Sequence, residues 1–318
     1  MKKGLELSRD YYNAFGRQML DEQFAELLPY VAAGVCGSGS ECLGFDDENS
    51  RDHDFDPGFC IFLPDEETVS RRDAFLLERA YAKLPRTFEG AARPYVQPVG
   101  GARRGVLRIE DFLMEKTGTK DGVLDLYQWL NVPEQSLLEV VNGEIYFDNY
   151  GKMTEIRKRL HYYPEDIRLK KLAGHLLLMG QSGQYNFERC VRHGEKGAAQ
   201  LALYEFVKSA LSVLFLLNRQ YQPFYKWTFR AAKNLTVCPG TAEKLERLLC
   251  AGSMDGAGNM LDEDKAMSID QIADDILASL RQEGLTDTEG RELELHAYEV
   301  NSRVRDSGLR NMHVLAAV

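Results

Sequence analysis

The chain has 318 residues, 44% hydrophobic and 28% charged, the texture of an ordinary globular protein with room for two cores. Its 39 basic and 49 acidic side chains leave a net charge of −10, which argues against a broad nucleic-acid-binding surface, although a local basic groove stays open. No stretch approaches the length and apolarity of a membrane span, the first ten residues lack the apolar core of a signal peptide, and the six cysteines form no Cys-x-x-Cys pair; a cytoplasmic protein with reduced thiols and no zinc is expected.

In chain order, Tyr12, Phe15, Met19, Phe24, Leu27, Leu28 and Val31 recur at helical spacing and predict an amphipathic helix over about 8–32. It feeds a loop of small residues, Gly34-Val-Cys-Gly-Ser-Gly-Ser-Glu-Cys-Leu-Gly44. Gly37, Gly39 and Gly44 let the backbone come close to a ligand there, and Ser40 can cap a short helix opened by Glu41. Exposed N–H groups in such a turn favour phosphate. A linker with Asp46, Asp47 and Glu48, loop acids that could add a metal ligand, leads to Ser50-Arg-Asp-His-Asp54. In extended chain Asp52 and Asp54 point to one side and His53 to the other. Folding alone gives no reason to place two ionised carboxylates so close. A divalent cation does, and hard Mg²⁺ (or Mn²⁺) prefers oxygen ligands. A turn suited to phosphates followed by a carboxylate pair points to nucleotide chemistry.

Phe59-Cys-Ile-Phe-Leu63 then reads as a buried strand closed by Pro64. Residues 65–84 predict a helix with an acidic first turn and with Phe75, Leu76, Ala80 and Tyr81 facing inward. Residues 86–101 are punctuated by Pro and Gly and predict loop with short strands. Residues 105–109 form the next strand candidate, and 110–116 turn helical. Beyond Gly122 the texture is helical: 133–141, a possible hairpin arm at 144–148, then 153–160, 164–179, the apolar 201–217 as the central helix, 223–235, 241–250, 268–283 and 292–305, with a loop at 251–265. The expected fold is therefore α+β: a small mixed β-sheet domain with helices over 1–122, followed by an all-α helical bundle over 123–318.

Gly39-Ser40, a spacer and Asp52-x-Asp54 resemble the signature of the polymerase-beta-like nucleotidyltransferase superfamily; Gly37-Ser38 supplies a second frame for the serine. The longer string from Gly39 to Asp54 is similar to a bacterial branch of that superfamily with no assigned function. Trp129-Leu-Asn-Val-Pro-Glu-Gln135, Tyr162-Tyr-Pro-Glu-Asp166 and Tyr221-Gln-Pro-Phe-Tyr-Lys-Trp227 look like its landmarks, so the likeness covers most of the chain. The resemblance implies a Mg²⁺-dependent transfer of a nucleoside monophosphate from a nucleoside triphosphate to an acceptor hydroxyl, with pyrophosphate released. It implies Asp52 and Asp54 as catalytic metal ligands, and Gly39, Ser40 or Ser38, and Arg51 as nucleotide-binding residues. Lys226, a lysine among aromatics, is the candidate triphosphate cation. In the superfamily a third carboxylate often sits on a later strand. Here that strand holds Arg108, and Glu110, with Asp111, is the nearest substitute as a catalytic acid. This departure leaves open a protein that keeps the fold and the nucleotide pocket with weakened or no turnover. Arg189 and His193 are one residue too close for the Arg-x4–6-His motif of a ribonuclease partner domain, and with Glu188 and Glu195 they read as a solvated helix face.

Overall fold

The computed structural model describes residues 2–48, 56–93, 103–251 and 262–318. Asp52, Asp54, Arg51 and His53 therefore lie outside the described residues. The chain forms two compact units: Met1–Asp125 with Val132–His161, and Leu126–Asn131 with Tyr162–Val318.

The first unit opens with α1 (Gly4–Tyr11), a π-helical turn (Tyr12–Gly16) and α2 (Arg17–Gln23). Helix ends at Gln23, short of the expected residue 32, and a run of turns leads into β1 (Ala32–Val35). β1 was not expected. Ala-Ala-Gly-Val has little strand propensity and is buried at every position, so it shows no alternation. β2 (Cys60–Leu63) pairs antiparallel with β1. α3 (Arg71–Lys83) starts at Ser70, whose side chain accepts from the Asp73 N–H. Its inward face is Leu77 and Tyr81, while Phe75 and Leu76 are exposed, a phase shift from the expected stripe.

A small hairpin, β3 (Thr87–Phe88) and β4 (Ala91–Ala92), follows. β5 (Gly105–Arg108) pairs parallel with β2, and α4 (Ile109–Thr117) follows it directly. α5 (Leu126–Asn131) belongs to the second unit; α6 (Glu134–Val141), β6 (Glu144–Asp148) and α7 (Lys152–Arg159) return to the first. β6 is no separate arm. It pairs antiparallel with β1 and completes a four-stranded mixed sheet in the order β5-β2-β1-β6. The β1–β6 register shifts between Ala33 and Gly34, where a Cβ on Gly34 would lie 2.4 Å from the Glu144 carbonyl. The sheet-bearing unit thus keeps residues 132–161, beyond the boundary expected at 122.

One face of this sheet, with Ala33, Val35, Ile61 and Leu63, packs with Tyr11, Tyr12, Leu20, Leu77 and Tyr81 into a continuous apolar core. The opposite face carries Cys60 and Phe62, and the Phe62 ring meets Phe112 of α4 at 5.6 Å.

The second unit is helical: α8 (Glu165–Met179), a long π-helical stretch (Gly180–Phe187), α9 (Glu188–Arg192), α10 (Lys196–Leu217), α11 (Tyr225–Ala232), α12 (Thr241–Cys250), α13 (Asp262–Gln282), α14 (Leu293–Ser302) and α15 (Ser307–Asn311). α10 is long and apolar enough to cross a membrane, contrary to the reading above, yet 67% of its apolar window is buried inside the unit, the burial of a core helix. The Trp129, Tyr162, Tyr163 and Tyr221 rings cluster at 5.0–6.0 Å, so these sequence landmarks form packed core. Arg168 has no exposed surface. It donates to Glu165 and Glu283 at 2.6 Å each, and Arg219 shares both carboxylates.

Candidate functional site

The small-residue turn leaves the end of β1. Gly37 (φ +112), Gly39 (φ +130) and Gly44 (φ +72) take backbone angles that side-chain-bearing residues rarely adopt. Residues Glu41–Leu43 form a short 3₁₀ turn, not an α-helix, and the Ser40 hydroxyl makes no capping hydrogen bond. Backbone bonds close the loop instead: Gly44 N–H to Glu41 O at 3.0 Å and Phe45 N–H to Ser40 O at 2.9 Å.

Two sets of side chains from distant sequence hold this turn. From the end of α6, Asn142 clamps Gly37 on both sides: its Nδ2 donates to Gly37 O at 2.8 Å, and its Oδ1 accepts from Gly37 N–H at 2.9 Å. Gly143 N–H donates to Cys42 O at 3.1 Å. Asn142 is placed in turn by Arg157 of α7, which donates to the carbonyls of Val140, Val141 and Asn142 and so satisfies the open end of α6.

The second set comes from the entry to β5. The Arg103 and Arg104 guanidiniums both donate to Glu41 Oε1, at 2.9 and 2.6 Å, and Arg103 also donates to Ser38 O at 2.7 Å. The Glu41 and Arg104 side chains are only 10% and 8% exposed. A Cβ on Gly39 would stand 2.2 Å from Arg103 Nη2 and 2.4 and 2.5 Å from the Glu41 carboxylate oxygens. Gly39 is thus required by close approach as well as by its φ.

Cys36, Cys42 and Cys60 are buried nearby. Burial pushes all three thiols up, Cys42 to about 12, so they are neutral packing groups and not nucleophiles. Asp46 accepts from the Gly4 N–H at 2.7 Å and lies 3.6 Å from Lys3 Nζ. It serves the start of α1.

Among the remaining candidates, Glu110 stands in the first turn of α4, 3.9 Å from Lys120 Nζ. Arg108 is tied to the carbonyls of Pro64 (2.7 Å) and Asp65 (3.1 Å), so the strand position where an acid was sought holds a structural arginine. Lys226 is exposed on α11 in the second unit, its ammonium 5.3 Å from the Trp227 ring. Arg189 donates to the Tyr185 hydroxyl and Arg192 pairs with Glu188, a self-paired helix face. Among the described residues no group of three or more His, Cys, Asp and Glu side chains could hold a metal ion. Sequence reasoning missed Asn142, Arg157, Arg103 and Arg104. Of these only the adjacent arginines, following Gly100-Gly101, carry any local signal.

Residues 129–228 match a family described as a domain of unknown function, DUF4037; the match spans less than half of the chain. The comparison with curated proteins gives no match. Among solved structures, the chain is similar to a nucleotidyltransferase-like protein from Exiguobacterium sibiricum 255-15, with 12% identity, 90% of each chain covered and a TM-score of 0.39. The family match assigns no function, and at 12% identity and a TM-score of 0.39 the structural likeness carries neither a family nor an activity to this chain.

Proposed function

We propose that the protein is a nucleotidyltransferase that moves a nucleoside monophosphate from a nucleoside triphosphate to an acceptor hydroxyl, with pyrophosphate as leaving group. One observation supports this most: the Gly-Ser turn, with its required Gly39, sits at the end of a central strand, and Asp-x-Asp falls between that turn and the neighbouring strand β2. In this reading the turn around Gly39, Ser40 and Ser38 receives the phosphates, with Arg51 beside them. Asp52 and Asp54 would hold Mg²⁺ or Mn²⁺, which supplies charge neutralisation at the transferring phosphoryl group. Among the described residues no group of three or more His, Cys, Asp and Glu side chains could hold a metal ion, so this reading assigns the metal to Asp52 and Asp54.

A second reading is favoured by Arg108. Its guanidinium is committed to backbone carbonyls at the site expected for a third acid, which suits a nucleotide-binding protein with weakened turnover. Glu110, in the first turn of α4 just past β5, is the nearest substitute for the third acid.

The experiment is incubation of the full chain with the four labelled triphosphates, Mg²⁺ and a cell extract, in parallel with Asp52→Asn and Asp54→Asn. Label transferred by the wild type and reduced by orders of magnitude in both variants, at unchanged melting temperature in chelator, is the expected result. Binding of triphosphate without any transfer selects the second reading. Variants that lose transfer only in proportion to lost folding would refute a metal-site role for the pair.

A further inference from the structure

We infer that Arg103 and Arg104 form a polyphosphate-binding pair at the glycine turn, and that Glu41 is a resident anion which the ligand must displace. The inference rests on the nucleotide reading above and adds to it a device that sets affinity and selectivity.

Three features carry it. First, both guanidiniums converge on a single oxygen, Glu41 Oε1, in a pocket where the three side chains are 8–18% exposed. Arginines brought together in this way suit a multiply charged oxyanion, because each planar fork can take two oxygens of a phosphate. Second, the carboxylate lies against Gly39, with both of its oxygens within 2.5 Å of where a Cβ would be. The anion therefore occupies the space that the absence of a side chain opens, which is the space a phosphate would need. Third, Glu41 is carried on the three-residue 3₁₀ turn Glu41–Leu43, whose preceding Ser40 gives no side-chain cap, so the carboxylate can swing away without unwinding a long element.

A purely structural ion cluster is the competing explanation. Buried clusters of this kind are weak stabilisers relative to an apolar replacement, so stability alone does not account for placing two arginines on one acid beside the turn. As a displaceable anion, Glu41 lowers the apparent affinity by the fraction of time it holds the seat. A monophosphate that engages one arginine cannot compensate for that loss. A pyrophosphate or triphosphate tail that engages both can, so the device favours polyphosphates.

The test uses calorimetry with inorganic pyrophosphate and inorganic phosphate, with chelator present so that no metal ion bridges the ligand to Asp52 and Asp54. The full-length wild type is compared with Glu41→Gln, Glu41→Asp, Arg103→Gln and Arg104→Gln. Glu41→Gln is expected to bind pyrophosphate about tenfold tighter than wild type and to lose part of the preference for pyrophosphate over phosphate. Glu41→Asp keeps the charge, falls short of both arginines and should lie between, which keeps the test open if Glu41→Gln fails to fold. Either arginine variant should weaken pyrophosphate binding. The inference is overturned if both Glu41 variants bind no tighter than wild type, if the arginine variants bind as well as wild type, or if no form binds pyrophosphate. Transfer of labelled nucleotide by the wild type is read separately, so the function proposed above can survive any of these results.

Discussion

Gly39→Ala tests the architecture of the turn most directly. The new methyl group would start 2.2 Å from Arg103 Nη2 and 2.4–2.5 Å from the Glu41 carboxylate, and the backbone φ of +130° excludes most L side chains. The backbone cost alone is of order 1–3 kcal/mol. Displacing a mostly buried ion cluster adds a further term, of which 3–5 kcal/mol for complete rupture is the upper bound. Because Glu41 and Arg103 can move partway, a total of about 2–5 kcal/mol is expected. Gly44→Ala is the matched control: its φ is +72°, and a Cβ there meets nothing within 4 Å, so it should cost only about 1 kcal/mol. Urea unfolding of both variants, followed on the transition of the sheet-bearing unit, measures the difference. A Gly39→Ala variant no less stable than Gly44→Ala would refute the close approach of Glu41 and Arg103 to the turn, and with it the argument for a displaceable anion.

Asn142→Ala removes both bonds to Gly37 and leaves its N–H and C=O without that partner; a loss of about 2 kcal/mol is expected in urea unfolding, with faster hydrogen exchange at the Gly37 amide, and slow exchange in the variant would contradict the clamp. In the second unit, burial raises the Glu165 carboxyl, but its bonds to Arg168 and Arg219 outweigh that and hold it down at about 2, against an ordinary value of 4.5. A depressed acid contributes stability that is present above pH 4.5 and lost as pH falls towards 2, discounted to about 1 kcal/mol because the side chain is about half exposed. Glu165→Gln should flatten the acid limb of the stability profile, and an unchanged slope between pH 4.5 and 2 would refute the pairing. Desolvation, aided by Lys171 and Lys208, holds His175 down at about 3, so its ring should show no NMR titration between pH 5 and 8, whereas a midpoint near 6.5 would refute that depression.

Most helices were legible in the sequence because their apolar residues recur at a fixed period. α12 was expected over 241–250 and spans Thr241–Cys250, and Phe59-Cys-Ile-Phe-Leu63 announced β2 by its unbroken apolar run. β1 was hidden because it is four residues long, small and buried on both faces. β6 was expected as a hairpin arm at 144–148 and spans Glu144–Asp148, but its pairing with β1, more than a hundred residues earlier, was not legible. α3 was found with Tyr81 buried and Ala80 against the core as expected, but Phe75 and Leu76 are exposed where hydropathy alone places them inside. In the candidate site, the turn itself was legible through its glycines. Its supports were not, since the bonds from Asn142 to Gly37 span 105 positions and those from Arg103 and Arg104 to Glu41 span 62 and 63. Nothing in the sequence marks a pairing over such separations.

The position of β6 has a consequence for how this protein can be cut. β1 lies inside the sheet only because β6 covers one side of it, and β6 arrives more than a hundred residues later. A fragment ending near residue 122 would leave the backbone of β1 as a bare edge, four apolar residues long and with no charge to discourage pairing with another chain. Such a fragment should self-associate, and its glycine turn would lack both Asn142 and Arg157. During synthesis the same edge stays open until residue 148 has emerged. That interval is when the nascent chain is most exposed to mispairing, and the turn at Gly37–Gly44 reaches its final shape only afterwards.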